Sequence, residues 1–170
     1  MTARGAPPAW IGSAAFVARC TGSAMLASLL AAAVGLGHPI WAVVSALVVS
    51  QDSATDTRRA FVWRVMATAI GLVVAIGVAS AVHDPSPGHP LQLVVAIAIC
   101  ATVARIRPEL RVCMWTAPIV LMTALPDRGI VHTAIERGSE VLLGAAVATV
   151  LHGLVDWSLR KRRGFRRTAF

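Results

Sequence analysis

The sequence predicts an all-α integral membrane protein, a helical bundle of about six transmembrane helices, and three observations carry that prediction. Hydrophobic residues make up 56% of the 170 positions and charged residues only 14%, with a mean hydropathy of +0.71. Soluble domains sit nearer 45–50% apolar and roughly 25% charged. The apolar residues are gathered into six runs, and when those runs are threaded through a bilayer the arginines fall mostly on one side.

The elements follow in chain order. Residues 1–12 form a short segment with Arg4, expected in the cytoplasm. The run 13–36 follows a positive charge as the core of a signal peptide would, but five more apolar runs come after it, so it reads as a first span. Arg19 stands directly before Cys20, where a lipoprotein signal needs a small residue, and is expected to snorkel to the interface. Runs 39–49, 91–104 and 112–125 are short, whereas 13–36, 61–82 and 141–157 are long enough, or nearly so, for a core of roughly 30 Å at about 1.5 Å per residue. A soluble fold would need a polar face on each element, and the long runs have almost none. Short spans packed between long ones are therefore expected.

Between spans two and three, "SQDSATDTRRAFVWR" carries Gln51, Asp52, Arg58, Arg59 and Arg64, and reads as a cytoplasmic loop leading into a helix. The stretch "HDPSPGHP" reads as an external turn. With the N-terminus inside, Arg4, Arg58, Arg59, Arg64, Arg105, Arg107, Arg111 and the basic tail 158–170 collect in the cytoplasm, against Arg128 and Arg137 outside. That asymmetry satisfies the positive-inside rule and places both termini in the cytoplasm. The net charge of +8 is concentrated at the end, where "RKRRGFRRTAF" holds six of the sixteen Lys and Arg residues. With no nucleic-acid-binding motif beside it, this tail is expected to meet anionic lipid, and no nucleic acid. Cys20, Cys100 and Cys113 are an odd set within or beside apolar runs, and read as small buried hydrophobes. The absence of Asn and Tyr and the single Lys suggest avoidance of codons rich in A and T. A bacterial cytoplasmic membrane is the expectation that follows.

The chain also repeats. Arg64 and Gly71 in "RVMATAIG" recur as Arg137 and Gly144 in "RGSEVLLG", 73 residues on, and Trp41 of "WAVVSALVVSQ" recurs as Trp115 of "WTAPIVLMTAL", 74 residues on. The repeat halves are about 13–82 and 91–157. Three spans per half invert the second half relative to the first, an architecture common among transporters, with substrate held where short or Gly/Pro-interrupted segments correspond. Spans two and five are those segments, and Pro118 in span five removes one backbone hydrogen bond.

Several polar residues within the spans are candidates for function. Arg64 shares a helical face with Thr68, Gly71 and Ala75, small enough for a neighbouring helix to approach closely; it either anchors to lipid phosphate or holds an anionic group in a protein-lined path. Arg137 lies beside Glu136 and Glu140 at spacings that permit ion pairing, which favours a structural role. His152 and Asp156 read as an interfacial pair beside Trp157, with a proton relay as the sharper alternative. His132, Glu136 and Glu140 share a stripe without the spacing of a known metal site. No phosphate-binding glycine loop, nucleophile elbow or zinc motif is present, so neither an enzyme nor a cofactor is expected.

The succession of "HPIWAVVSALVVSQ", an arginine-bearing loop and "RVMATAIGLVVA" resembles the membrane domain of the fusaric acid resistance and aromatic acid exporter family, and "RGSEVLLGAAVAT" resembles that domain's closing helix. The likeness runs over roughly residues 13–157. It implies a six-helix domain that exports aromatic carboxylates or similar organic anions. Trp41, Gln51, Arg64 and Gly71 match its motif positions, with Trp115 and Arg137 as their weaker second pass, and Ala67 stands where the motif commonly has glycine. Many relatives carry two such domains or an added helical cytoplasmic domain, so a single unit is expected to act as a homodimer or beside a second half-transporter. On this reading Arg58, Arg59 and Arg64 concentrate anions at the entrance. Trp41 and Trp115 offer faces for an aromatic ring. Gln51 and Asp52 hydrogen-bond in the mouth, unless Asp52 serves as a partner for Arg58 or Arg59. A passive anion channel and a non-transporting membrane subunit are the competing expectations.

Overall fold

A computed structural model describes residues 9–82, 89–124 and 128–168, with side chains described only between 12 and 158. Arg4, most of the expected external turn and the side chains of the basic tail lie outside those residues. The chain forms α1 (Ala9–Ala33), α2 (Ile40–Val49), α3 (Ala54–Ala81), α4 (Pro90–Ile106), a 3-10 turn (Pro108–Leu110), α5 (Cys113–Thr123) and α6 (Gly129–Thr168). It is an all-helical bundle of six helices, with no strand among the described residues. Stretches of α1, α3 and α6 are long and apolar enough to cross a membrane. α2 and α4 are apolar but shorter.

Local chemistry sets the ends. Gly35, at φ 73°, closes α1 in a Schellman motif, with the Leu36 N–H on the Ala31 carbonyl and the Gly35 N–H on the Ala32 carbonyl. His89 and Pro90 open α4, the imidazole accepting from the Leu91 N–H and the proline occupying a position that needs no N–H. Three starts differ from the sequence reading. α1 begins at Ala9, inside the segment 1–12 expected to precede the first span. α3 begins at Ala54, so Arg58 and Arg59 are helical and not in a loop. The cause is Ser53, whose hydroxyl accepts from the Asp56 N–H at 3.1 Å and donates to the Asp56 carboxylate at 2.6 Å, a reciprocal cap that leaves only residues 50–53 as a link. α6 begins at Gly129 rather than at residue 141, because the polar side chains of its first turns find partners among themselves: Arg128 pairs with Glu136, which also lies 3.7 Å from His132 Nδ1, and Arg137 pairs with Glu140.

The packing is that of a membrane protein. More than half of the buried apolar residues are alanine, among them Ala27, Ala42, Ala67, Ala117 and Ala145, while Val73, Val94, Ile106, Ile135 and Trp157 face outward. A soluble domain buries its large side chains; in a bilayer large apolar groups gain nothing by turning inward, and small residues let backbones approach.

α3 and α6 cross antiparallel at the centre: Ala54 meets Asp156, Thr57 meets His152, and Leu72 lies against Gly138. α1 and α2 pack on α6, and α4 and α5 pack on α3. Exchanging α1, α2 and α3 for α4, α5 and α6 carries each main helix contact into another main helix contact. Since the equivalent helices α3 and α6 run in opposite directions, this pairing has the symmetry of an inverted repeat. Two glycines mark its equivalent crossings. A Cβ on Gly71 would stand 2.7 Å from the Thr116 Cβ of α5, and one on Gly144 would overlap the Ala42 carbonyl of α2.

Candidate functional site

The site grows from one face of α3. Arg64, Ala67, Thr68, Gly71 and Ala75 are all buried there, the small residues making room for α5 and α6. Arg64 is 4% exposed, and its Nε and Nη1 have no hydrogen-bond partner among the described residues. The Thr68 hydroxyl, one turn further, is buried and unpartnered as well. A buried guanidinium without an acid is an unstable arrangement, because its desolvation is uncompensated. Both groups keep unused donors among the described residues, and a guanidinium is a donor that a carboxylate or similar anion matches.

Its counterpart in the second half is satisfied. Arg137, 5% exposed, donates from Nη1 to Glu140 Oε2 at 2.9 Å and lies over the Trp41 ring at 4.5 Å, although its Nε stays unpartnered. The other Glu140 oxygen accepts the His38 N–H at 2.7 Å, and Ser45 donates to the Val141 carbonyl at 2.7 Å, tying α2 to α6. The repeat offset of 73 maps Glu140 onto Ala67. One half has the acid and the other lacks it.

A second polar cluster closes one end of the α3–α6 pair. Arg19 Nη1 pairs with Asp156 Oδ1 at 3.1 Å and its Nη2 donates to the Asp52 carbonyl at 3.0 Å; Asp156 Oδ2 accepts the Ala54 N–H at 3.2 Å. Beside it the Gln51 N–H donates to Thr57 Oγ1 at 3.1 Å, and that hydroxyl is 3.3 Å from Nδ1 of the fully buried His152. Four sequence expectations are corrected here. Arg19 does not snorkel, because an acid on α6 is within reach. Asp156 serves Arg19 and α3 rather than His152. Asp52 engages through its backbone, and neither Arg58 nor Arg59 forms an ion pair with it among the described residues. Gln51 turns its side chain back to the Val48 carbonyl at 3.4 Å and works through its N–H.

The two tryptophans also part ways. Trp41 is covered by Arg137, so that face is closed to a substrate ring. Trp115 is half exposed and lines a cavity of about 440 Å³ with Arg105, Pro108, Arg111 and Met114, where α4 turns into α5. Pro118 lies inside α5, which continues through it to Thr123. Cys20, Cys100 and Cys113 are free thiols, Cys113 donating weakly to the Cys100 carbonyl at 3.6 Å. No group of three metal-binding side chains occurs among the described residues.

Sequence reasoning did not single out the Arg105–Arg111–Trp115 corner or the Thr57–His152 contact. The first had a signal, three arginines, Arg105, Arg107 and Arg111, around a Pro-Glu-Leu turn, the last of them four residues before a tryptophan. The second had none, since its partners are 95 positions apart.

A helical bundle with alanine-rich buried contacts, large apolar residues facing outward and three helices long and apolar enough to cross a membrane is that of a helical membrane protein. The sequence profile of the fusaric acid resistance protein-like family matches residues 26–151, from within α1 into α6, and the chain belongs to that family. No curated protein and no solved structure matches the chain.

Proposed function

We propose that this protein is a transporter unit that exports aromatic carboxylates or similar organic anions across the bacterial cytoplasmic membrane, as a homodimer or with a second half-transporter. The observation that carries the proposal is Arg64: a buried guanidinium without an acidic partner among the described residues, one turn from a buried hydroxyl that also has none there. A transported anion supplies the missing charge while bound and leaves the site polar and attractive to the next. Arg58 and Arg59, exposed on the first turns of the same helix, raise the concentration of anions near its start. Gly71 lets α5 pack closely against this face, which supports a site flanked by protein rather than lipid.

The test is flux of a radiolabelled aromatic carboxylate in proteoliposomes, with and without an imposed pH gradient. Flux that depends on Arg64 and rises with the gradient supports proton-coupled export. Flux indifferent to the gradient reassigns the protein as a passive anion channel. No flux of several such anions from folded protein rejects self-sufficient transport of them.

A further inference from the structure

We propose that the corner between α4 and α5 binds the head group of an anionic phospholipid. The cavity there, about 440 Å³, is walled by Arg105 in the last turn of α4, Arg111 after the 3-10 turn, and Pro108, Met114 and Trp115. Both arginines are exposed, and neither has an acidic partner among the described residues; Glu109, the acid between them, is exposed and pairs with neither. Leu110 is buried and pins the turn, so the two guanidiniums are held around one space rather than on a free loop. Two such forks match a phosphodiester oxygen pair.

The choice of a lipid over a free anion rests on what adjoins the cavity. Ile99 and Ile106, two turns apart on α4, and Trp115 and Met122, two turns apart on α5, are exposed apolar residues that run from the corner along both helices. A ligand with an anionic head and long apolar chains satisfies both surfaces at once, and an indole beside the head group is where tryptophan is favoured in a bilayer. The first half offers no equivalent: the offset of 74 places Ala31 and Gly37 at the positions of Arg105 and Arg111, and Trp41 is taken by Arg137. In an inverted repeat the site then exists in one leaflet only.

The experiment reconstitutes the full chain in vesicles of phosphatidylcholine containing a minor fraction of brominated phosphatidylglycerol or brominated phosphatidylcholine. Trp115 emission is isolated as the difference from the Trp115→Phe protein. The brominated anionic lipid is expected to quench Trp115 more than the zwitterionic one. In Arg105→Gln/Arg111→Gln, whose changes lie on the surface, that preference is expected to fall on the order of tenfold. Equal quenching by the two lipids, or a preference that survives the double substitution, overturns the proposal. A third arm adds naphthoate or glycerol phosphate from the aqueous phase. Relief of quenching by naphthoate at lower concentration than by glycerol phosphate assigns the corner to soluble aromatic anions and likewise overturns it, whereas relief by glycerol phosphate alone supports a head-group site.

Discussion

The two halves of this molecule share a plan and differ in how they treat one charge. In the second half Arg137 is enclosed by Glu140, Trp41 and the start of α2. In the first half Arg64 is buried to the same degree with none of these partners, and Trp115, the second-half counterpart of Trp41, is half exposed. At the offset of 73 the position of Glu140 is held by Ala67, so Arg64 has no acid three residues on and stands as a candidate binding group. The closed half ties α2 to α6, and on the proposed reading the open half is the one that binds.

The largest expected effect comes from opening the closed half. Glu140→Gln leaves Arg137 buried without a counter-charge and is expected to lower unfolding free energy by about 3–5 kcal/mol, read from unfolding in mixed micelles. The converse change, Ala67→Glu, gives Arg64 an acid at the same three-residue spacing. It is expected to abolish anion flux while the protein keeps its helicity and its elution profile.

Next come the glycine crossings. Gly144→Ala drives a methyl group into the Ala42 backbone, whereas Gly71→Ala meets the Thr116 side chain first. Both overpack, typically by about 1–3 kcal/mol, and Gly144→Ala is expected at or above the top of that range with Gly71→Ala below it. Equal losses would show that α2 and α5 are held with equal rigidity. Asp156→Asn weakens the tie from α6 to Arg19 and the start of α3, by about 1–3 kcal/mol as for a hydrogen bond to a charged group. Smallest is the tryptophan comparison: Trp41→Leu loses the contact with Arg137 and is expected to cost about 0.5–2 kcal/mol more than Trp115→Leu, by the same unfolding assay.

Much of this plan was legible in the sequence because it is written in local signals. Runs of apolar residues at helical length mark the helices. That Arg64, Thr68, Gly71 and Ala75 share one face followed from their spacing, whereas the burial of Arg64 did not, since a lipid anchor fitted the same spacing. Two boundaries were missed where polar residues continue a helix: Ser53 with Asp56 at the start of α3, and the self-paired charges that begin α6. The partners of Arg19, Asp156 and His152 were illegible, since each contact joins helices far apart in sequence and depends on the register in which α1 and α3 meet α6. Glu140 against Ala67 was readable once the halves were aligned, but its weight emerges only when both arginines are known to be buried.

The most direct test of the difference between the halves compares two variants in the same flux assay, normalised to folded protein. Arg64→Gln is set against Arg137→Gln/Glu140→Gln, which removes both charges of the closed half together and so leaves no buried ion unpaired. The account predicts that Arg64→Gln folds and carries no aromatic carboxylate, while the double variant retains most of its flux. Retained flux in Arg64→Gln, or flux lost only in the folded double variant, would contradict it and move the binding role to the half that now looks sealed.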